Sequence, residues 1–193
     1  MYVKKFSKLI ITWGLIFLFL IILGFFYNRS IDNNYLYLGE DAPQPTQLHP
    51  LVEEKKNLLL QQATDLNINL VITDEIRTFE EQNALYERGR TTQGNIVTNA
   101  RAGETYHNYG LAIDYALINE AGDYIWDTTF DGNNNGESDW FEVADLAKDL
   151  GFEWGGDWSG FKDYPHLQMT FGLSIRQLQD GMRPATEVID ING

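Results

Sequence analysis

The chain has 193 residues, with 14 basic and 28 acidic side chains and no cysteine. Its formal net charge of −14 disfavours binding to the phosphate backbone of a nucleic acid. Without cysteine the protein can form neither disulfides nor thiolate metal sites, so histidines and carboxylates are the metal ligands that remain.

The N-terminal segment differs in composition from the rest of the chain. Lys4, Lys5 and Lys8 precede residues 9–27, an uncharged run rich in Leu, Ile and Phe. A helix of about 19 residues is about 28 Å long, close to the roughly 30 Å hydrocarbon core of a bilayer. We therefore predict a single-pass membrane protein, with residues 1–8 cytoplasmic, a transmembrane anchor and an extracytoplasmic domain. A cleaved signal peptide is the alternative, but this run is longer than usual and ends without a small-residue cleavage site.

The next part of the chain changes from extended to helical patterns. Residues 28–50 contain three prolines among polar residues, which predicts an extracytoplasmic tether. From Leu51 the apolar residues fall at helical spacing, so we predict a helix of about 16 residues. Residues 69–76 are apolar and β-branched, as in a strand. A Thr-x-x-Glu capping box then begins a helix over 78–88.

The second half of the chain continues this alternation. The predicted elements are a loop over 89–104, a strand over 111–117, a helix over 140–150 ended by Gly151, a strand over 165–170 and a short helix begun by Ser174. This order predicts an α+β domain over 51–183, in which helices flank a small antiparallel sheet, followed by a C-terminal tail over 184–193.

Two short stretches carry the candidate metal ligands. His107 and Asp114 lie seven residues apart, and Asp163 and His166 lie together further along the chain. The third histidine of the chain, His49, falls in the predicted tether. Two histidines with one carboxylate suit a catalytic zinc ion that keeps one position for water. The same side chains are also found packed in cores or on surfaces, so their spacing alone leaves both interpretations open.

Three motifs together resemble a known family. Residues 105–114 read Thr-x-His-x-x-Gly-x-Ala-x-Asp, residues 151–158 read Gly-Phe-Glu-Trp-Gly-Gly-Asp-Trp, and residues 163–166 read Asp-x-Pro-His. The set resembles the LAS-type zinc peptidases, which include D-alanyl-D-alanine carboxypeptidases and L-alanyl-D-glutamate endopeptidases of bacterial cell walls. The resemblance covers residues 48–183. The tryptophan-rich block is most similar to the L-alanyl-D-glutamate branch, which includes phage endolysins.

The resemblance implies a zinc cleft with named ligands and a base. In the family pattern His107, Asp114 and His166 bind the zinc ion. Asp163 matches the general base, which takes a proton from the zinc-activated water and later passes it to the leaving amine. A turn residue in the sequence before Pro165 is the alternative role for Asp163.

The resemblance also implies further contacts in the cleft. Arg77 matches the arginine that stabilises the developing oxyanion, although a surface ion pair with Glu80 or Glu81 is an alternative. Gln82 and Thr105 match substrate-binding positions, and Thr105 stands where the family usually has serine.

These assignments together imply a membrane-anchored zinc peptidase that hydrolyses peptidoglycan stem peptides, between L-Ala and D-Glu. A D-alanyl-D-alanine carboxypeptidase on the same scaffold is the first alternative. A non-catalytic module that binds calcium or the cell wall is the second.

A second metal site is predicted from residues 131–142, which match the EF-hand loop pattern at every specified position. Gly136 occupies the sharp turn, and the loop places oxygen ligands at six positions. These are Asp131, Asn133, Asn135, Glu137 through its backbone carbonyl, Asp139 and Glu142. We therefore predict a calcium ion with a structural or regulatory role and weak affinity. A polar surface turn rich in Asn and Gly is the alternative.

Overall fold

The computed structural model describes residues 12–24 and 34–185. Residues 12–24 form helix α1, whose apolar side chains such as Trp13 and Phe17 are exposed. Within the described residues, no helix combines the length and the apolar character that a membrane span requires. Residues 1–8 and both ends of the predicted anchor, 9–27, lie outside the described residues.

The main sheet has five antiparallel strands in the order β2-β3-β6-β5, with β4 beside β3. Their bounds are β2 Leu70–Asp74, β3 Ala112–Ile118, β4 Tyr124–Ile125, β5 Glu153–Trp154 and β6 His166–Gln168. Strand β3 pairs with three of the others and is almost wholly buried, which explains its run of apolar residues. The predicted antiparallel sheet is confirmed.

Helices α2 (Pro50–Asp65) and α4 (Asp139–Asp149) pack against each other and cover the sheet. Pro50 suits the first helical turn, and the ring nitrogen Nδ1 of His49 accepts a hydrogen bond from Leu51 N–H at 3.3 Å. Helix α4 ends before Gly151, whose φ of +96° is readily adopted only by glycine. Both predicted helices are confirmed to within a residue at their starts and ends.

One continuous core lies between these helices and the sheet. Its fully buried members come from α2, β3, α4 and β6: Val52, Leu59, Ala63, Ile113, Tyr115, Leu117, Trp140, Val143, Ala144, Ala147 and Leu167. Each large apolar side chain buried here contributes roughly 1.5–3 kcal/mol to folding. This core holds β3 rigid, and β3 carries Asp114.

Two short helices begin with the capping boxes that their sequences contain. Helix α3 (Phe79–Glu87) starts after Thr78, whose side chain accepts the Glu81 N–H at 3.2 Å while the Glu81 carboxylate accepts the Thr78 N–H at 2.8 Å. Helix α5 (Ile175–Gln179) starts after Ser174 in the same way. Both predictions are confirmed.

A second, two-stranded sheet differs from the expected organisation. Strands β1 (Tyr35–Tyr37) and β7 (Met182–Pro184) pair antiparallel. The folded domain therefore begins inside the segment 28–50 that we predicted to be a tether, and β6 is not the last strand. The Tyr35 hydroxyl donates to the Phe171 carbonyl at 2.8 Å, which fixes β1 to the domain. A three-residue strand is too short to show a recognisable alternation of apolar and polar residues, so neither strand was predicted.

Candidate active site

Three side chains meet at the end of the main sheet. His107 Nε2, Asp114 Oδ1 and His166 Nδ1 form a triangle in which each pair of atoms is 3.2 Å apart. These three side chains form a close group of two histidines and one acid that can hold a metal ion. Ligand atoms around a tetrahedral zinc ion with bonds of about 2.0–2.1 Å are about 3.3 Å apart. The three atoms therefore fit a zinc ion and leave a fourth position open.

Backbone geometry brings the three residues together. Strand register places Asp114 of β3 directly opposite His166 of β6. His107 lies on a 3₁₀ turn, Tyr106–Tyr109, that immediately precedes β3. Gly110 ends this turn with φ +67°, and a Cβ at that position would lie 3.2 Å from Cα of Leu48. Only glycine lets the chain turn from His107 into β3 beneath the segment before α2.

The outer nitrogens of both histidines are held by hydrogen bonds. His107 Nδ1 lies 2.6 Å from the Glu75 carbonyl, and His166 Nε2 lies 2.9 Å from Gln168 Oε1. The Gln168 amide in turn donates to Glu153 at 3.0 Å, which fixes its oxygen towards His166. With the outer nitrogens held in this way, the inner nitrogen of each imidazole faces the centre of the triangle and can bind a metal once it has given up its proton.

The charges at the centre also suit a cation. Burial disfavours ionisation of Asp114, but the hydrogen bonds from His107 and His166 outweigh it and hold the pKa of Asp114 below its ordinary value. Burial lowers the pKa of His166, but its hydrogen bond with Asp114 outweighs this and leaves the pKa raised. Asp114 is therefore an ionised carboxylate between two imidazoles, the protonation state in which it binds a metal.

Asp163 lies beside this group. Its backbone N–H donates to the Gly155 carbonyl at 3.1 Å, and its own carbonyl accepts the His166 N–H at 3.2 Å. Burial, followed by the negative charge of Asp114, raises the pKa of Asp163 above its ordinary value. A carboxyl with a raised pKa next to metal-binding residues is suited to accepting and returning a proton.

Gly155 fits closely under the Asp163 segment. A Cβ at this position would overlap the Asp163 carbonyl oxygen and would lie 3.0 Å from Asp163 Cβ and 3.2 Å from His166 Cβ. We expect Gly155→Ala to displace Asp163 and to lower kcat about tenfold or more, since misplacement of about 1 Å costs up to about 100-fold. Steady-state hydrolysis of a stem peptide measures this change.

The matched control is Gly160→Ala, because an added Cβ there meets nothing within 4 Å. It should keep the wild-type kcat. Equal rates for Gly155→Ala and the wild type would show that the Asp163 segment tolerates displacement without loss of function.

Arg77 points into the site from the turn after β2. Its guanidinium donates to Asp74 through two N–H groups, and Nη1 donates to Gln82 Oε1 at 2.7 Å. Its Nη2 is also 3.6 Å from Asp114 Oδ2. Strand register places Asp74 opposite Asp114, so the same sheet positions both the arginine and the metal group.

Two predictions for this region are corrected by the contacts. Arg77 forms its ion pairs with Asp74 and Asp114 and not, as the alternative held, with Glu80 or Glu81. Gln82 was predicted to bind substrate, but its side chain is fully buried. One end of its amide binds Arg77, and the other donates to the Ala100 carbonyl at 2.6 Å. Gln82 therefore positions Arg77.

The remaining predicted contact, Thr105, is half-buried at the start of the 3₁₀ turn. Its hydroxyl accepts the His107 N–H at 3.4 Å. A pocket of about 420 Å³ opens beside Arg77. Its lining residues are Asp74, Ile76, Arg77, Glu81, Ala84 and Leu85.

Comparison with known proteins identifies the family to which this chain belongs. An M15 peptidase family model described as D-alanyl-D-alanine carboxypeptidase matches residues 98–169. The chain is 55% identical over 152 residues to the peptidoglycan L-alanyl-D-glutamate endopeptidase CwlK of Bacillus subtilis (strain 168), covering 79% of this chain and 90% of CwlK. The chain belongs to the M15 peptidase family. The resemblance inferred from the motifs is thereby confirmed.

Two further proteins with similar names also match the chain. The L-alanyl-D-glutamate peptidase of Listeria phage A118 is 33% identical over 151 residues, which cover 77% of this chain and 43% of that protein. The crystal structure of the Serratia marcescens L-Ala D-Glu endopeptidase ChiX aligns with a TM-score of 0.45 at 22% identity, over 68% of this chain and 84% of that chain.

Membership in the M15 family makes the protein a metallopeptidase.

Three residues that support its site were not predicted from the sequence: Asp74, Glu75 and Gln168. One of them carried a signal, because Gln168 lies two residues after His166 and so projects from the same face of a strand. Glu75 acts through its backbone carbonyl, which no side-chain pattern reveals.

Proposed function

We propose that this M15 peptidase hydrolyses the peptide bond between L-Ala and D-Glu in peptidoglycan stem peptides, with a zinc ion bound by His107, Asp114 and His166. The observation that carries the proposal is the 3.2 Å triangle of ligand atoms with Asp163 beside it. CwlK and the Listeria phage A118 peptidase are both named for the bond between L-Ala and D-Glu, which supports the choice of scissile bond.

The chain's own residues supply the proton transfer. When bound, zinc would lower the pKa of a water molecule and polarise the peptide carbonyl. Asp163 is placed to accept the proton of the attacking water and to deliver it to the amine that leaves. Its half-buried position and raised pKa favour both steps, because the carboxyl can hold a proton between them.

Arg77 is placed to stabilise negative charge on the carbonyl oxygen. Its side chain is held rigid by Asp74 and Gln82, so the guanidinium needs little reorganisation when charge develops. Such fixed donors contribute several kcal/mol to catalysis in a site screened from water.

We expect Arg77→Lys to lower kcat by roughly 100-fold with a small change in KM, because lysine keeps the charge and loses the planar fork that Asp74 and Gln82 hold. Steady-state kinetics and a melting curve measure the two effects separately. Arg88→Lys, at the exposed end of α3, is the control and should match the wild type. An unchanged kcat in Arg77→Lys would assign Arg77 to folding alone.

Digestion of purified muropeptides tests the bond. Mass spectrometry should find new D-Glu amino termini and stem fragments ending at L-Ala. Release of D-Ala alone would instead assign a D-alanyl-D-alanine carboxypeptidase, the activity that describes the matching family model. Binding to muropeptides with no new termini would indicate a non-catalytic wall-binding module.

We also propose that residues 9–27 hold the enzyme in the cell membrane with its domain extracytoplasmic. The uncharged run, the three lysines before it and the exposed apolar side chains of α1 support this location. The protein should sediment with membranes, resist extraction by carbonate and be digested by protease added to intact protoplasts. Recovery in the soluble fraction, or a mature protein that lacks the segment, would contradict the anchor.

A further inference from the structure

We propose that residues 131–142, the acidic loop, form a calcium site. This site is separate from the zinc group, by which we mean His107, Asp114 and His166. The loop connects Asp131 to Glu142 in the first turn of α4, and a backbone hydrogen bond from Asp139 to Phe130 at 2.9 Å closes it. The proposal concerns a cation-binding site and does not depend on the peptidase activity.

The observation that points to a ligand is the side chain of Asp139. This residue is 2% exposed, and its Oδ1 has no hydrogen-bond partner among the residues that the structure describes. Its Oδ2 accepts the Gly132 N–H at 3.1 Å, so the carboxylate points into the loop. A buried carboxylate oxygen without a donor is costly unless a cation or donor satisfies it. A calcium ion in the loop would supply that partner.

The other oxygens of the loop are arranged around its interior by backbone N–H groups. The Asp131 carboxylate accepts the Asn135 N–H at 3.1 Å and the Gly136 N–H at 3.0 Å. Asn133 Oδ1 accepts the same Asn135 N–H at 3.1 Å. Each such oxygen keeps a lone pair for a cation. Gly136 has φ +94°, as the sharp turn of a calcium loop needs.

Glu142 closes the loop from the helix. Its two carboxylate oxygens accept the amides of Asn135 at 2.7 Å and Asn133 at 3.2 Å. A bidentate glutamate at the last loop position is the usual anchor of such sites.

The start of α4 connects the loop to the active site. Trp140 packs on Tyr115, the neighbour of Asp114, with ring centroids 5.0 Å apart. Phe141 packs on Tyr164, the neighbour of Asp163, at 6.5 Å. A cation that orders the first turn of α4 would therefore support both sides of the zinc group.

Calcium titration of the full-length protein in detergent, loaded with zinc and kept in calcium-free buffer, tests the site. Calorimetry with CaCl₂ should give one ion per chain with a dissociation constant of the order of 10⁻⁴–10⁻³ M. At ten times that constant, binding should shift the folding equilibrium about elevenfold towards the folded state and raise the melting temperature. Neither readout depends on activity.

The variants Glu142→Gln and Asp131→Asn each remove one loop charge and should weaken calcium binding at least tenfold. Asp149→Asn, an exposed charge at the other end of α4, is the matched control and should bind as the wild type does. The two loop variants are independent, so a folded sample of either, checked by circular dichroism, decides the question. A wild-type protein that does not bind calcium at about 10 mM, or loop variants that bind like the control, would overturn the proposal.

Discussion

Replacing Asp163 with asparagine should lower kcat for stem-peptide hydrolysis by at least about 100-fold, the usual contribution of a positioned general base. Asparagine keeps the size of the side chain and leaves intact the two backbone hydrogen bonds that fix this residue to Gly155 and His166. It cannot accept the proton of the attacking water. Bound zinc and melting temperature should therefore stay close to those of the wild type, while kcat falls.

The control for this variant lies in the same region of the chain. Asp157→Asn removes an equal charge from a side chain that is 59% exposed and lies 3.7 Å from Lys148. Its kinetics should match those of the wild type. If Asp163→Asn retained more than about a tenth of the wild-type kcat, another group would have to be the base, and the turn-residue interpretation of Asp163 would stand.

The site residues that could be predicted are those that lie in short, recognisable sequence motifs. His107, Asp114, Asp163 and His166 stand in short motifs bounded by glycine or proline, and the structure brings them to one place. The helices could also be predicted, because capping residues and the spacing of apolar residues mark their starts and ends in the sequence.

The parts that escaped prediction depend on pairing between distant segments. Asp74 holds Arg77 and faces Asp114 only because β2 pairs with β3 in one register. Strands β1 and β7 are more than 140 residues apart and three residues long, so neither shows a pattern of its own. The resemblance predicted that Gln82 binds substrate. Its burial, which instead indicates that it positions Arg77, follows from the packing of the whole domain and cannot be read from a local motif.

Removing one zinc ligand should have the other large effect. His166→Ala takes one donor from the triangle and leaves only His107 and Asp114, too few protein ligands to retain a catalytic zinc ion. We expect zinc per chain to fall below about a tenth of the wild-type value and hydrolysis to fall to background. Metal analysis by mass spectrometry measures the first effect without reference to activity.

The coupling between metal and folding gives an independent measurement. Zinc at about 100 times its dissociation constant should stabilise the wild type by about 2.7 kcal/mol, or about 5–10 °C in melting temperature for a domain of this size. His166→Ala should show no zinc-dependent shift. His49→Asn is the control, because His49 binds the Ala185 carbonyl at 3.2 Å, outside the triangle, so this variant should lose stability but keep zinc and its zinc-dependent shift. Full zinc occupancy in His166→Ala would place the ion elsewhere, and the 3.2 Å triangle would then be a buried polar cluster rather than the catalytic centre.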